Sequence, residues 1–482
     1  MHPKTGLLVL LLATVTAGCM FHGDTPIAPA PESFSIENRA NPVKNLPQYP
    51  WWTEVGSSEL NDLVLEALEN NKQVNIASKN IEAAQISLDT VRLGWLPTIN
   101  LLGGRFKSEG IIFVPNLPVP LAGTGGFFAF LPTWVANIIQ LPNQTRAAQK
   151  NVEVSVADYL ALRNSVAAQV VSSYATVLAS IEEEKILAEL TNNLNVRVKT
   201  ARSMALQGLE TETSTIDQDS QVQKLEAQVA INQANRIAAK NALLTLVGRS
   251  LEDFKPKDSF SKLNLDYIAP GNTPTSVLET RPDVVAARAK IQAADYGISA
   301  TASLFAPTPL LSNATVRASV DMGNTNETLS ESVQMGIVSW TLDPQFIGKI
   351  RSANMQYDRA LISYFSVVDN AIKEVDNALA DFNAKQTTLI KEQKILSNSS
   401  KNLGTFRAMR GTGLISETQY LQSAGQFDLA NMAIVQTKLQ AIISLSKLYQ
   451  SMGGGAAYDQ KNYSLKDQSI VSIDRGEPQD KR

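Results

Sequence analysis

Apolar and polar residues alternate in two rhythms along this chain. From about 57 to 95, Leu63, Ala67, Val74, Ala77, Ile81 and Ala84 recur at steps of three and four or their sums. That spacing predicts one helix with a single apolar face, ended by Pro97. Thr98 to Phe106 then changes to a strand-like period. A stretch rich in Pro and Gly, about 109–125, reads as a loop, and Phe127 to Ile139, with Trp134, reads as a second strand. The pair predicts a β-hairpin over about 98–139. From about Gln144 to Gln207 there is no Pro or Gly. There Val166, Val170, Tyr174, Val177 and Ile181 form a coiled-coil-like seam, on a helix roughly 95 Å long at 1.5 Å per residue. Gly208 ends it, as a left-handed cap does, and another helix is expected over about 210–247.

The second half repeats this order. Thr308 to Leu342 predicts a second hairpin, turning at Gly323-Asn324-Thr325-Asn326. A long helix from about Lys349 to Arg410 follows, with one interior glycine, Gly404. It ends near Gly413, and a partner is expected over about 416–452. Residues themselves recur. Asn80-Ile81-Glu82-Ala83-Ala84 and Leu96-Pro97-Thr98 return 210 residues on, as Lys290-Ile291-Gln292-Ala293-Ala294 and Ala306-Pro307-Thr308. Arg202, Gly208, Leu209 and Gly248 return 205 residues on, as Arg407, Gly413, Leu414 and Gly453. The chain thus divides into a first repeat, 57–270, and a second, 271–455, flanked by other material.

That material changes the picture. Residues 1–18 have a short basic start, an apolar core and small residues before Cys19, the pattern of a secretory signal too short to span a bilayer. Ala17-Gly18-Cys19 resembles a bacterial lipobox, with Thr16 where Leu is usual. That resemblance implies a lipidated Cys19 at the mature N-terminus, and outer-membrane sorting, because no Asp follows it. An ordinary signal peptide is the alternative. Residues 19–56 begin as a Pro-rich extended tether, and 456–482 form a polar tail.

Composition removes whole classes of chemistry. Net charge is -3 and pI about 5.7, so no basic patch suggests nucleic acid. The only histidines are His2 and His22, and the only cysteine is Cys19. The body therefore has no Cys/His metal site, Ser-His triad or thiol nucleophile. No phosphate-cradling loop follows a strand. Neither an enzyme nor a cofactor is expected.

Four strands cannot close a membrane barrel, which needs about eight or more, and open edges do not survive in lipid. If the hairpins are membrane strands, several chains share one barrel. The alternative is that they are soluble caps on a helical bundle.

Three motifs decide between these. Thr280-Arg281-Pro282-Asp283-Val284-Val285-Ala286-Ala287, followed by Ile291, Ala293-Ala294, Ile298 and Ala300, resembles an Arg-Pro-Asp-Val signature. Asp343-Pro344-Gln345-Phe346-Ile347-Gly348-Lys349-Ile350-Arg351 resembles a strand-to-helix corner, and Leu448-Tyr449-Gln450-Ser451-Met452-Gly453-Gly454-Gly455 a terminal triple glycine. Together they resemble the TolC-like outer-membrane factor family, in its lipoprotein branch, the outer-membrane channels of RND-type drug-efflux systems. The resemblance implies a mixed α+β membrane protein, a homotrimer with one twelve-stranded β-barrel and a long periplasmic α-helical tunnel, girdled by shorter elements. It implies a passive channel in the Gram-negative outer membrane, fed by a periplasmic adaptor (membrane fusion) protein and an inner-membrane RND-type pump. A conduit for protein secretion and a non-channel scaffold lipoprotein are the alternatives.

The resemblance also implies a site. The Arg-x5-Gly-Leu pattern at Arg202, Gly208, Leu209 and at Arg407, Gly413, Leu414 marks two periplasmic tips that dock the adaptor and close the pore. Positions that carry acid rings in many relatives are here Gln419 and Gln422, beside Thr418, while acids gather at the first tip as Glu210, Glu212, Asp217 and Asp219. A neutral amide ring lowers cation selectivity, so the constriction is expected at Asp217, Thr418, Gln419 and Gln422. The first strand-to-helix corner, Leu141-Pro142-Asn143-Gln144-Thr145-Arg146, lacks the Gly-Lys-x-Arg form of the second.

Overall fold

A computed structural model describes residues 50–114, 117–135, 138–209, 211–250, 254–265, 281–306, 308–321, 326–339 and 343–454. The leader, Cys19, most of the tether and the tail fall outside them. Within them the helices are α1 (Ser58–Asn70), α2 (Lys72–Leu93), α3 (Gln140–Leu206), α4 (Glu212–Val247), α5 (Pro282–Ala302), α6 (Phe346–Gly411) and α7 (Glu417–Ser451). The strands are β1 (Thr98–Val114), β2 (Leu117–Val135), β3 (Thr308–Asp321) and β4 (Asn326–Ser339). At 67 residues α3 is about 100 Å long. None of the helices is apolar enough over its length to cross a membrane.

The chain forms two compact units. The first, built from Ile81–Ser155 and Ala286–Tyr364, holds the strands. They make one antiparallel sheet in the order β1-β2-β3-β4. The expected loop at 109–125 is not there: β1 and β2 pair continuously from Thr98↔Thr133 to Val114↔Leu117. Proline permits this because the β2–β3 ladder covers only Thr124–Val135 and lapses at Leu131 and Pro132. Pro118, Pro120 and Pro132 sit where β2 has no ladder bond to give β3, so their missing N–H costs nothing. At the first corner Pro142 lies inside the first turn of α3, where its N–H has no intrahelical partner, so the helix begins at Gln140 and not near Gln144. Trp134 Nε1–H donates to Trp95 O at 3.0 Å and pins the end of β2 beside the entrance to β1. At the second corner Gln345 N–H donates to Asp343 Oδ1 at 2.8 Å, and Lys349 Nζ to Asp343 Oδ2 at 2.8 Å. That Asx turn starts α6.

The second unit comprises the described residues up to Asn80, Val156–Val285 and those from Phe365 onward. The predicted seam is its core: Val166, Val170, Tyr174 and Val177 are buried. Leu60, Leu63, Val64 and Ala67 of α1 and Ile442, Leu445 and Tyr449 of α7 are buried too. Each such large side chain contributes about 1.5–3 kcal/mol. Trp51 stacks on Tyr449 with ring centroids 4.8 Å apart. Tyr174 Oη–H donates to Glu59 Oε2 at 2.8 Å, and the same oxygen accepts from Lys257 N–H at 2.8 Å.

The single helix expected over 57–95 is two. Asn71 breaks it in extended conformation, with ψ 124°. Its Oδ1 accepts from Gln73 N–H at 2.9 Å and Val74 N–H at 3.2 Å, so it caps α2. Its Nδ2 donates to Leu246 O, at the end of α4, at 2.9 Å. Arg281 stands 210 residues later and does the same for the second half. Its Nη1 donates to Ser451 O, at the end of α7, at 2.8 Å, and to Ala371 O at 3.3 Å. Its Nε and Nη2 hold Asp283 at 2.8 and 2.9 Å, and Nη2 also meets Glu374. Ser451 lies 205 residues after Leu246, so the two bonds occupy matching positions. A cation at a helix C-terminus is also favoured by the helix dipole. Two glycines let the chain pass close by. At Gly248 (φ 81°) an added Cβ would lie 2.8 Å from Asn70 O, and at Gly454 (φ 72°) it would strike Asn164, whose Nδ2 donates to Gly453 O at 2.6 Å.

Arg281→Ala strips two carbonyls and two carboxylates of this partner and is expected to cost about 2–3 kcal/mol in denaturant unfolding. Asn71→Ala should cost about 1–2 kcal/mol. Arg281→Lys should recover little, because one ammonium cannot replace the planar fork. An Arg281→Ala variant as stable as the parent would remove this node from the fold.

Candidate functional site

The two helix–helix reversals are built alike. After α3, Leu209 N–H donates to Met204 O at 2.9 Å across Gly208, whose φ is 74°. After α6, Leu414 N–H donates to Met409 O at 2.9 Å across Gly413, again with φ 74°. Both are Schellman closures, which need a left-handed residue. An added Cβ at either glycine meets nothing within 4 Å, so the dihedral alone demands glycine. The following helices are capped in the same way. Thr211 Oγ1 accepts from Ser214 N–H at 3.3 Å, and Ser416 Oγ from Gln419 N–H at 3.3 Å.

Leu209 and Leu414 are each 71 % exposed, beside Met204 and Met409, which are also exposed. Each reversal thus presents a Leu and a Met from matching positions, with Leu206 adding to the first. Apolar side chains held outward on a rigid turn suit contact with another protein.

The polar groups differ between the reversals. Arg202 Nη2 pairs with Asp219 Oδ1 at 2.9 Å across the first. At the second, Arg407 is exposed and it is Arg410 that closes the turn. Its Nε meets Glu417 Oε2 at 2.6 Å, and its guanidinium lies over the Tyr420 ring at 4.5 Å. Sequence reading missed Arg410 because its counterpart 205 residues earlier is Ala205. Of the expected constriction residues, Asp217 and Gln422 are exposed and Thr418 is half-buried. Gln419 serves the helix start, where its Oε1 accepts from Ser416 N–H at 2.9 Å and completes a capping box. Among the described residues no hydrogen bond joins Asp217 to Thr418, Gln419 or Gln422.

Higher up, α7 buries a carboxylate against α3. Asp428 is 6 % exposed and accepts from Asn193 Nδ2 at 3.1 Å. Burial, then the neighbouring Glu189 carboxylate, push its pKa up to about 6, against the pull of the Asn193 bond. Burial likewise raises Glu183 on α3, opposed by a hydrogen bond from Gln436.

The β3–β4 part of the sheet has two unlike faces. Pairing register puts Asn313, Thr315, Arg317 and Ser319 of β3 on one face with Thr328, Ser330, Ser332 and Gln334 of β4. The intervening positions of β3 read Leu310, Ser312, Ala314, Val316, Ala318 and Val320. Such alternation of polar and apolar positions is that of a strand pair between water and lipid. On β1 and β2, Leu101, Leu102, Phe128 and Phe130 are all exposed.

Comparison with known proteins gives this geometry a context. The family model described as "Outer membrane efflux protein" matches residues 63–249 and 273–454, one segment in each half. The probable outer membrane lipoprotein SilC of Salmonella typhimurium is 21 % identical over 94 % of this chain and 99 % of its own length. The outer membrane protein OprJ of Pseudomonas aeruginosa is 24 % identical over 94 % of this chain and 96 % of its own. Among solved structures, the open state of the MtrE outer membrane channel of Neisseria gonorrhoeae superimposes with a TM-score of 0.75. It is 19 % identical and covers 90 % of this chain and 98 % of its own.

The buried carboxylate generates a signed prediction. Folded Asp428 binds its proton more tightly than an unfolded aspartate, whose pKa is about 3.9. Between pH 4 and 6 the folded state therefore holds more protons, and its stability falls as pH rises through that window and stays lower above it. Asp428→Asn should flatten the slope and raise stability at pH 7.5 by about 1–2 kcal/mol, after allowance for solvent screening. Denaturant unfolding at pH 4.5 and 7.5 measures it, and parallel profiles for variant and parent would refute it.

Proposed function

The chain belongs to the outer membrane efflux protein family, and we propose that three copies of it form one passive export channel. It carries drugs or other small molecules from an inner-membrane RND-type pump and a periplasmic adaptor to the outside, with no catalysis of its own. The observation that carries this reading is the sheet. Its order, β1-β2-β3-β4, leaves β1 and β4 each with one unpaired side. An unpaired edge is not tolerated in hydrocarbon. Three copies, β1 of each against β4 of the next, close twelve strands. The long helices continue into the periplasm as a tunnel wall.

In this assembly the reversals at Gly208 and Gly413 are the periplasmic end. Leu209 and Leu414, with Met204 and Met409, are the knobs that seat the adaptor. The ion pairs Arg202–Asp219 and Arg410–Glu417, with the Ser416–Gln419 box, hold the tips in shape. The gate is held by hydrogen bonds and packing more than by rings of acid, with Gln422 in the constriction and Asp217 at its entrance. The N-terminus is anchored to the outer membrane by a lipid on Cys19, a reading supported by the lipoprotein relative.

A photo-crosslinking residue at Leu414 in living cells is expected to capture a periplasmic adaptor. The double variant Leu209→Asp/Leu414→Asp should lose that capture and the export phenotype while still forming trimers. Trimers in the outer membrane that capture no adaptor would favour a scaffold. In single-channel recordings Gln422→Ala should leave ion selectivity nearly unchanged; strong cation selectivity abolished by that change would sink the hydrogen-bonded gate.

A further inference from the structure

We propose that the β-barrel lumen carries a basic belt, formed by Arg105 and Arg317, that binds anions in transit and makes the outer half of the pore anion-preferring. The inference rests on the channel reading, which makes the polar face of the sheet the lumen wall.

Register brings the two arginines together although 212 residues separate them in the chain. Arg105 pairs with Gly126, and Gly126 with Ser319, so these three lie in one row across β1, β2 and β3. In the next row Gly103 pairs with Phe128, and Phe128 with Arg317. Rows on one face are about 6.8 Å apart along the strands. Arg105 and Arg317 are therefore diagonal neighbours two strands apart. The position between them in the Arg105 row is a glycine, which leaves the space open. Both arginines are exposed, and neither forms an ion pair with a described side chain. The rest of the wall there is Phe128, which lies beside Arg317, and the short hydroxyls Ser319, Thr328 and Ser330.

The acid positions of this face all lie on the turn side of the belt. Toward the hairpin turns, the row of Thr124 places Lys107 and Asp321 on either side of it, and Glu109 follows one row further. Toward the helices the rows hold Leu101, Phe130, Thr315 and Ser332, then Ile99, Pro132, Asn313 and Gln334, none of them charged. The belt thus has two arginines per chain and six per trimer, set beside Gly126, Phe128 and hydroxyl donors, with one acid position, Asp321, a row further toward the turns. Planar guanidinium forks in that setting suit carboxylate and phosphate groups, and rings of arginine favour anions. The first tip carries the opposite sign, with Glu212, Asp217 and Asp219.

The test is the reversal potential of the purified trimer in planar bilayers under a potassium chloride gradient at low ionic strength, where screening is weak. In Arg105→Gln/Arg317→Gln the chloride-to-potassium permeability ratio is expected to fall about two- to threefold. Block by added pyrophosphate should weaken in parallel. Arg105→Lys/Arg317→Lys, which keeps the charge, should retain the ratio, separating loss of charge from loss of fold. A conducting Gln double variant with unchanged ratio and unchanged block overturns the belt and leaves the channel reading intact. A trimer that conducts no ions overturns both.

Discussion

A four-stranded antiparallel sheet has two edges, and hydrocarbon tolerates neither. Everything else about this chain follows from how that is resolved. In the channel proposed above the strands are not satisfied within one chain, so the sheet needs copies of itself. The cost of the open edge falls on the first and last strands, which come from different halves, the two hairpins starting 210 residues apart at Thr98 and Thr308. A chain built from two like halves delivers two hairpins to one sheet, and among the described residues β2 pairing with β3 is the only ladder joining them. The proline-driven lapse at Leu131 and Pro132 falls in that ladder, between the hairpins and not within them.

The helical unit resolves a second constraint. The helices that follow the two reversals, α4 of 36 residues and α7 of 35, cannot be held by their own hydrogen bonds in a fixed relation to a partner. Their ends must be tied. The ties are few and matched: Asn71 to Leu246 O in the first half, and Arg281 to Ser451 O in the second. One residue type is neutral and the other charged, yet the carbonyl they satisfy is the same orphan at a helix C-terminus. The Arg-Pro-Asp-Val segment is a structural clasp in this light. Pro282 begins α5, Asp283 holds the guanidinium and also accepts from Val284 N–H, and the arginine reaches two other helices.

Charge is laid out along the fold with equal economy. The reversals expose apolar knobs and lock their shape with one ion pair each. The packing between α3 and α7 contains a carboxylate that burial makes reluctant to ionise. The polar face of the sheet collects arginines from strands far apart in sequence.

Much was written in the sequence by local physics. A chain segment of over 60 residues without Pro or Gly forms a helix, and period-two segments form strands, because backbone preference and apolar spacing are read within a few residues. Gly208 and Gly413 marked the reversals since only glycine takes φ near 74° freely. Other features depended on contacts that no local pattern carries. Asn71 splits a helix whose apolar rhythm continues through it, because its side chain has a distant carbonyl to bond. The described residues of 109–125, namely 109–114 and 117–125, are strand despite Pro118 and Pro120, because β3 makes no ladder with β2 before Thr124. Gln419 is drawn into a cap, and Arg410 closes a reversal that Arg407 was expected to serve. Arg105 and Arg317 meet only through strand register. Sequence sets what each segment is, since that is decided by neighbours a turn or a pleat away. Tertiary structure decides which polar groups find each other, since a hydrogen bond or a charge acts across space and takes no account of chain distance.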